Sequence, residues 1–297
     1  MSVVSTGILM LDELTGVAGF PRGALVHLYG EPGAGKTSVA LHVVAEAQAC
    51  GGKAVWVDAD HALDLRMAEQ RGVDTSELDI IRPENGEAAL AQVASSLRAL
   101  EPTVLVIDSV AQLLPPEPAS NSQDPVELLI RSGLRQLVPL VAKANAVLLC
   151  TNQTYPREGV MFGSSECTFG GETLHYLASL DIRIRKLGLI KHGDSSIGHR
   201  VRAQLRKSRV GPSGRDADFD LLFDGGINRG SDAFEVGQRL GLVEFDGRQY
   251  QVEGIALGEQ RNDAVRTLNQ SAELLDTLVD KLRGLLQERY PPPEGRS

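Results

Sequence analysis

Residues 30–37, Gly30-Glu31-Pro32-Gly33-Ala34-Gly35-Lys36-Thr37, bring together the groups needed to hold a polyphosphate. A glycine-rich turn lets successive backbone N–H groups point into one concavity, and a helix beginning at its end adds a positive terminus. Lys36 can then reach the outer phosphates of a nucleotide, while the Thr37 hydroxyl can ligate Mg²⁺. The same letters could be a tight strand-to-helix turn with a surface lysine. Context decides against that: an apolar run at 24–29 precedes the glycines, and a helical pattern starting at Ser38 follows them. The stretch reads as a P-loop, with residues 30–38 around the nucleotide.

A P-loop enzyme also needs a carboxylate near the metal and a group that orients and deprotonates water. Asp108 ends the apolar run 103–108, where such a metal-side carboxylate belongs, and a turn or capping aspartate is the alternative. The next residue is Ser109, so no base stands beside it. Asp58 and Asp60, at the end of another apolar run, are the candidates for the base. Asn152 and Gln153 end a further run and could touch the γ-phosphate through their side-chain amides. The long glycine-rich stretch 154–171 follows directly, with Arg157 and several apolar residues. A loop of that length is a surface excursion or a functional element, and its attachment to Gln153 suits one that orders on nucleic acid when ATP is bound.

These residues need strands that end together. Apolar runs at 24–29, 54–58, 79–81, 103–108 and 146–151 alternate with helical patterns at 62–71, 86–100 and 125–145. That alternation predicts an α/β fold, a doubly wound and mainly parallel sheet that binds ligands at its carboxyl edge. An amphipathic helix is expected before it, within residues 5–14. After Gly171 a short helix at 172–179 is expected, and then the period changes to two. Antiparallel strands are predicted at 181–186, 200–207 and 218–223. Glycines at 225, 226 and 230 suggest a boundary, giving a core at 1–228 and a small C-terminal α/β domain at 229–288. Residues 289–297 are expected to be a disordered tail. The last helix, 272–288, should carry Leu274, Leu275, Leu278, Leu282, Leu285 and Leu286 on one face.

The formal net charge of −9 argues against a nucleic-acid partner, but its distribution is uneven. Residues 183–215 hold ten Lys or Arg and a single acid, Asp194. This is a basic band on an otherwise acidic chain, suited to phosphates arriving from one side, or else a solvated strand pair of alternating charge. The three cysteines are scattered and read as reduced packing thiols in a cytoplasmic protein. No apolar run is long enough to span a membrane, and the beginning of the chain lacks a signal-peptide pattern.

Taken together, Ser5-Thr6-Gly7, Gly35-Lys36-Thr37, residues 57–64 (VDADHALD) and residues 106–110 (VIDSV) resemble the bacterial RecA recombinase family. So do Asn152-Gln153, residues 159–163 (GVMFG), Gly170-Gly171 and Lys207-Ser208-Arg209, and the likeness covers roughly residues 4–288. The resemblance implies an ATPase core with a small C-terminal domain, and ATP with Mg²⁺ held between adjacent subunits of a filament on single-stranded DNA. It implies roles by position. Asp60 stands in the place of the family's catalytic glutamate and Gln153 in that of its γ-phosphate sensor. Asp64 and Met67 lie near adenine, and Lys207 and Arg209 reach across to a neighbour's phosphates. Residues 154–171 match the second DNA-binding loop, with Arg157, Gly159, Val160, Met161, Phe162, Gly163, Gly170 and Gly171 as its DNA contacts. Residues 115–124 match the first. Departures accompany the likeness, among them a first loop some five residues shorter and Met67 in place of a stacking tyrosine. Asp60 is a methylene shorter than Glu, Glu158 replaces an apolar residue, and Met1 falls where the family usually has some thirty further residues that dock on the next subunit. The expected function is therefore a DNA-dependent ATPase, slowed by Asp60, in recombination, repair and the DNA damage response. The alternative is a non-filamenting paralogue acting as an accessory protein. A small-molecule kinase would explain the P-loop but neither the 154–171 loop nor the basic band.

Overall fold

The computed structural model describes residues 2–116, 125–156 and 166–291. In chain order the elements begin with β1 (Val3–Val4), α1 (Leu9–Thr15), β2 (Phe20–Pro21), β3 (Ala24–Gly30), α2 (Lys36–Ala49), β4 (Ala54–Asp58) and α3 (Leu65–Gln70). Then come β5 (Leu78–Ile81), α4 (Gly86–Ala99), β6 (Val104–Asp108), α5 (Pro125–Ala144), β7 (Val147–Pro156), β8 (Glu166–Thr168) and α6 (Thr173–Leu177). The antiparallel part is β9 (Leu180–His192), β10 (Ser195–Ser208), β11 (Arg215–Leu222) and β12 (Gly226–Ile227). The chain closes with α7 (Arg229–Leu240), β13 (Val243–Phe245), β14 (Tyr250–Val252), β15 (Ile255–Gly258), α8 (Arg261–Gln270) and α9 (Ala272–Arg289).

One sheet runs β12-β11-β10-β9-β3-β7-β6-β4-β5, with β8 attached to β7. From β9 through β5 the neighbours are parallel, and from β9 outward to β12 they are antiparallel. The parallel strands are apolar throughout because both faces are covered. Val26, Leu28, Trp56, Val106 and Leu149 face a core shared with α1, α2 and α7–α9. Leu25, Val57, Leu105, Ile107, Leu148 and Cys150 face a second core under α4 and α5. Alternation along each strand thus feeds two cores. Burial pushes the Cys150 thiol up to about 12, consistent with a packing residue.

Several sequence expectations need adjustment. The helix expected at 62–71 is only α3, because residues 61–64 form a turn organised by Asp58 and Asp64. The helix α1 is not amphipathic: nearly all of it is buried, Asp12 included. The basic strands are longer than the sequence suggests, since β9 and β10 run together beyond the body of the sheet. On α9 the buried face is Leu275, Leu278, Val279, Leu282 and Leu286, with Leu274 and Leu285 at its margins. That helix continues to Arg289, and residues 292–297 lie outside the described residues. No helix among the described residues is long and apolar enough to cross a membrane.

Candidate nucleotide site

Parallel register assembles the site. Pairing β3 with β7 sets Gly30 opposite Gln153, and pairing β4 with β6 sets Asp58 opposite Asp108. The phosphate loop therefore emerges beside Gln153, with the acidic ends of β6 and β4 two and three positions along the sheet. Gly30 has a φ of 155°, and any Cβ there would collide with the Ile184 carbonyl of β9, so only glycine lets the loop leave the sheet. Loop residues Glu31, Pro32 and Gly33 are exposed, whereas Ala34 is buried.

Lys36 is 7% exposed and donates from Nζ to the carbonyls of Gly30 (2.9 Å) and Glu31 (2.8 Å), which hold its ammonium over the loop. Burial lowers its pKa, while Asp108, Glu31 and Asp60 oppose that shift. Thr37 Oγ1 donates to Asp108 Oδ2 at 2.9 Å, and Thr151 donates to the other carboxylate oxygen. Burial raises the Asp108 pKa, and Asp60 adds to this from nearby. A carboxylate in that position gains from a cation. The adjacent Thr37 hydroxyl and Asp108 carboxylate are hard oxygen donors of the kind Mg²⁺ takes alongside phosphate oxygens. The residues fit the ion.

The two candidate bases differ sharply. Asp58 is 2% exposed and fully engaged: Oδ1 accepts from the N–H groups of Ala62 (2.9 Å) and Leu63 (3.2 Å), and Oδ2 pairs with Arg82 at 3.2 Å. It holds the 58–63 turn. Asp60 is half-buried, and only its Oδ1 is bound, by the backbone N–H (3.0 Å) and hydroxyl (3.1 Å) of Ser109. Its second oxygen has no protein hydrogen bond among the described residues. Ser109, whose peptide bond with Asp108 is cis, thus positions the aspartate instead of supplying a base.

Asn152 and Gln153 also part company. Asn152 is fully buried and spends its amide on the Phe169 carbonyl (2.9 Å) and on the Gln153 N–H. It ties β7 to the far end of the following loop. Gln153 is half-buried, and its side-chain amide makes no hydrogen bond among the described residues. The root of that loop is not irregular, because β7 and β8 pair antiparallel as Thr154–Thr168, Tyr155–Cys167 and Pro156–Glu166. Tyr155 and Phe169 bring their rings to 4.9 Å across this ribbon. Gly170 and Gly171 are a turn in the left-handed region, at φ 74° and 62°, pressed on α5. A Cβ on Gly170 would meet Ile130 at 2.5 Å, and one on Gly171 would meet Glu127 at 2.8 Å. Gly170 is buried, and its close packing on α5 fixes the turn at the end of the loop. Arg157, Gly159, Val160, Met161, Phe162 and Gly163 lie outside the described residues, as does most of 115–124.

Asp64 caps α3, accepting from the N–H groups of Arg66 and Met67, and Met67 packs half-buried against the core. Lys207 donates to the carbonyls of His175 (2.5 Å) and Tyr176 (2.8 Å), and Arg209 also donates to Tyr176. Both cations are held at the C-terminal end of α6, where unpaired carbonyls concentrate. Burial, then Arg209, lowers the Lys207 pKa.

The basic band is partly neutralised. Cross-strand register places Arg200 opposite Asp220 and Arg202 opposite Asp218. Arg202 makes a two-pronged pair with Asp218 at 2.7 and 2.9 Å, and Arg200 reaches Asp220 at 3.6 Å. The aspartates of β11 make this surface less cationic than residues 183–215 alone imply.

One cluster escaped sequence reasoning. His27 Nδ1 lies 2.6 Å from Asp181 Oδ1, and His175 Nδ1 lies 3.0 Å from Asp181 Oδ2, beneath the loop root. Burial works to raise the Asp181 pKa, but the two imidazoles outweigh it and hold the carboxyl below its ordinary value. His27 stands inside an apolar strand, and no spacing signals its partner 154 residues away.

Comparison with known proteins follows this geometry. A family model described as the RecA N-terminal domain matches residues 1–228. Protein RecA of Syntrophobacter fumaroxidans is 38% identical over 295 residues, covering 98% of this chain and 86% of that protein. Protein RecA of a Wolbachia from Drosophila simulans is 36% identical over 292 residues, covering 97% and 82%. Protein RecA of Clostridium tetani is 34% identical over 298 residues, covering 99% and 84%.

Proposed function

Because the chain belongs to the RecA family, we propose that it is an ATP-dependent single-stranded-DNA-binding ATPase of recombination and repair. In this reading residues 1–228 form the ATPase core and residues 229–288 a C-terminal domain. The observation that carries it is the convergence of Lys36, Thr37, Asp108, Asp60 and Gln153 on one sheet edge, four strands wide.

The loop N–H groups and the positive end of α2 receive the β- and γ-phosphates. Lys36 exchanges its two carbonyl partners for phosphate oxygens. Mg²⁺, held through Thr37 and Asp108, would neutralise charge on the leaving and transferred phosphates. Asp60, fixed by Ser109 through one oxygen, presents the other to a water and takes its proton as attack begins. Gln153 donates its free amide to the γ-phosphate. Because it heads the β7–β8 ribbon, the presence of that phosphate is felt at the root of the 154–171 loop, which meets single-stranded DNA. The side chain of Asp60 is about 1.5 Å shorter than Glu, which slows hydrolysis.

The test is single-stranded DNA binding by fluorescence anisotropy with ADP and with a non-hydrolysable ATP analogue, for wild type and Gln153→Ala. Tighter binding with the analogue, lost in the variant, is expected. Binding indifferent to nucleotide would overturn the reading.

A second reading has one observation in its favour. Lys207 and Arg209 are clasped to their own α6 carbonyls, so reaching a neighbouring subunit's ATP requires breaking those bonds. A non-filamenting accessory protein of the same family would keep them there.

A further inference from the structure

Strand β7 is apolar from Val147 to Cys150 and then, still wholly buried, places a threonine at 151. A hydroxyl in that position has no water to bond, so its proton must go to a protein acceptor. Alternation along the strands decides which one. Val147 and Leu149 of β7 face the core shared with α2, and so do Val104 and Val106 of β6. Thr151 and Asp108, two residues further along each strand, turn to that same side. The register that pairs Ile107 with Cys150 brings them next to each other, under the start of α2 with Lys36 and Thr37.

Thr151 Oγ1 donates to Asp108 Oδ1, while the other acceptor in reach, the Ile107 carbonyl, stands off at 3.4 Å. Asp108 Oδ2 accepts from Thr37 Oγ1 at 2.9 Å. The carboxylate is thus held from both sides, each oxygen by a different threonine. The two hydroxyls are not equivalent. Thr37 is half-buried at the head of α2 and keeps its oxygen lone pairs for a cation. Thr151 is fully buried and can act on a ligand only through Asp108. Its β-branched side chain is stiff about χ1, so the hydroxyl it presents is fixed, and with it the orientation of the carboxylate. Valine has the same shape and would fill the same space, but Oδ1 would lose its donor and the carboxylate could turn. Mg²⁺ demands near-ideal octahedral geometry, which makes it sensitive to the placing of a single oxygen. Groups hydrogen-bonded behind a metal ligand set that placing.

We propose that Thr151 is a positioning residue for the metal-side carboxylate: its hydroxyl holds Asp108 by Oδ1, so that Oδ2 and the Thr37 hydroxyl stand together for Mg²⁺. This role, which rests on the nucleotide reading of the site, gives β7 a part in metal binding. The same strand carries Gln153 two residues on and on the same face.

Calorimetry on the full chain with a non-hydrolysable ATP analogue, once in Mg²⁺ and once in EDTA, separates metal-dependent from metal-free affinity. In wild type, Mg²⁺ tightens binding. Thr151→Val is expected to lose about 10–100-fold of the affinity gained from Mg²⁺, with affinity in EDTA unchanged. Thr151→Ser, which keeps the hydroxyl, should recover part of the loss. Thr151→Ala removes the hydroxyl in a smaller side chain, should Thr151→Val fold poorly. In an Asp108→Asn background Thr151→Val should weaken the Mg²⁺ dependence no further, because the two residues act as one unit. Thr151→Val with the full Mg²⁺ gain, or with equal losses in Mg²⁺ and EDTA, overturns the proposal and leaves the nucleotide reading standing. So does a serine variant no better than valine, or a further loss in the Asp108→Asn background. Thr151 is then a buried hydroxyl that has found an acceptor and nothing more. Wild-type binding indifferent to Mg²⁺ overturns both readings together.

Discussion

The two halves of the main sheet treat charge in opposite ways. On the parallel side, β3, β7, β6 and β4 deliver Lys36, Asp60, Asp108 and Gln153 to one edge, and each keeps a polar group directed at the site. On the antiparallel side, β10 and β11 set arginine against aspartate across the ladder, so much of the charge cancels locally. Parallel strands end together, and although Thr151 reaches Asp108 across β7 and β6, no opposite charges meet along that ladder to cancel. Antiparallel strands place opposite side chains 4.5–5.5 Å apart, where ion pairs close at once. Chemistry gathers at the first kind of edge, whereas the second kind of surface is tuned by what its pairs leave over.

The comparison can be broken most directly at Lys36. Lys36→Ala is expected to weaken ATP binding by about 2–5 kcal/mol, the cost of truncating one partner of a buried charge pair. Calorimetry on the variant checks this, and unchanged affinity would remove the loop from the site. Next comes the contrast between the two acids. Asp60→Asn should slow single-turnover hydrolysis by about 10²–10⁴-fold with ATP affinity nearly kept. Asp58→Asn should instead destabilise the fold by about 1–3 kcal/mol, since a buried turn loses an acceptor and an ion pair. Exchanged effects would reverse the assignment. Asp60→Glu sharpens the same point: a faster rate means distance limits the reaction, and a slower one means the Ser109 clasp is fitted to aspartate.

Smaller effects belong to the antiparallel half. If subunits share ATP, Lys207→Ala or Arg209→Ala should abolish analogue-dependent assembly in sedimentation while ATP binding to the single chain survives. Assembly unaffected by either change would leave both residues as ties to α6. Smallest is the salt slope of single-stranded DNA binding. Asp218→Asn releases Arg202 and should steepen the slope by up to about 0.7 if that cation then meets a phosphate. Arg185→Ala, at an exposed position on β9, should flatten it by a similar amount. An unchanged slope in both variants would place the DNA path elsewhere.

The phosphate loop, Asp108 and the strand–helix alternation were legible in the sequence, because each depends on residues adjacent in the chain or on a simple period. So was the family, carried by several short stretches in one order. The resemblance singles out Asp60 over Asp58 and Gln153 over Asn152, but the residues themselves carry no physical reason for either choice. Each pair sits at the end of a single strand with the same chemistry on paper. Only the fold shows that Asp58 is consumed by the 58–63 turn and Arg82, and Asn152 by the Phe169 carbonyl. Net charge on the band depends on the fold for the same reason: residues 183–215 are cationic in sequence, and pairing with β11 brings the aspartates that meet Arg200 and Arg202. His27 with Asp181, and Thr151 with Asp108, were invisible because hydrogen-bonding partners come from segments far apart in sequence. What the sequence determined by itself is which backbone elements form and what chemistry they carry. The tertiary structure decided which polar groups remain free, since a group is free only when no neighbour brought by folding has satisfied it.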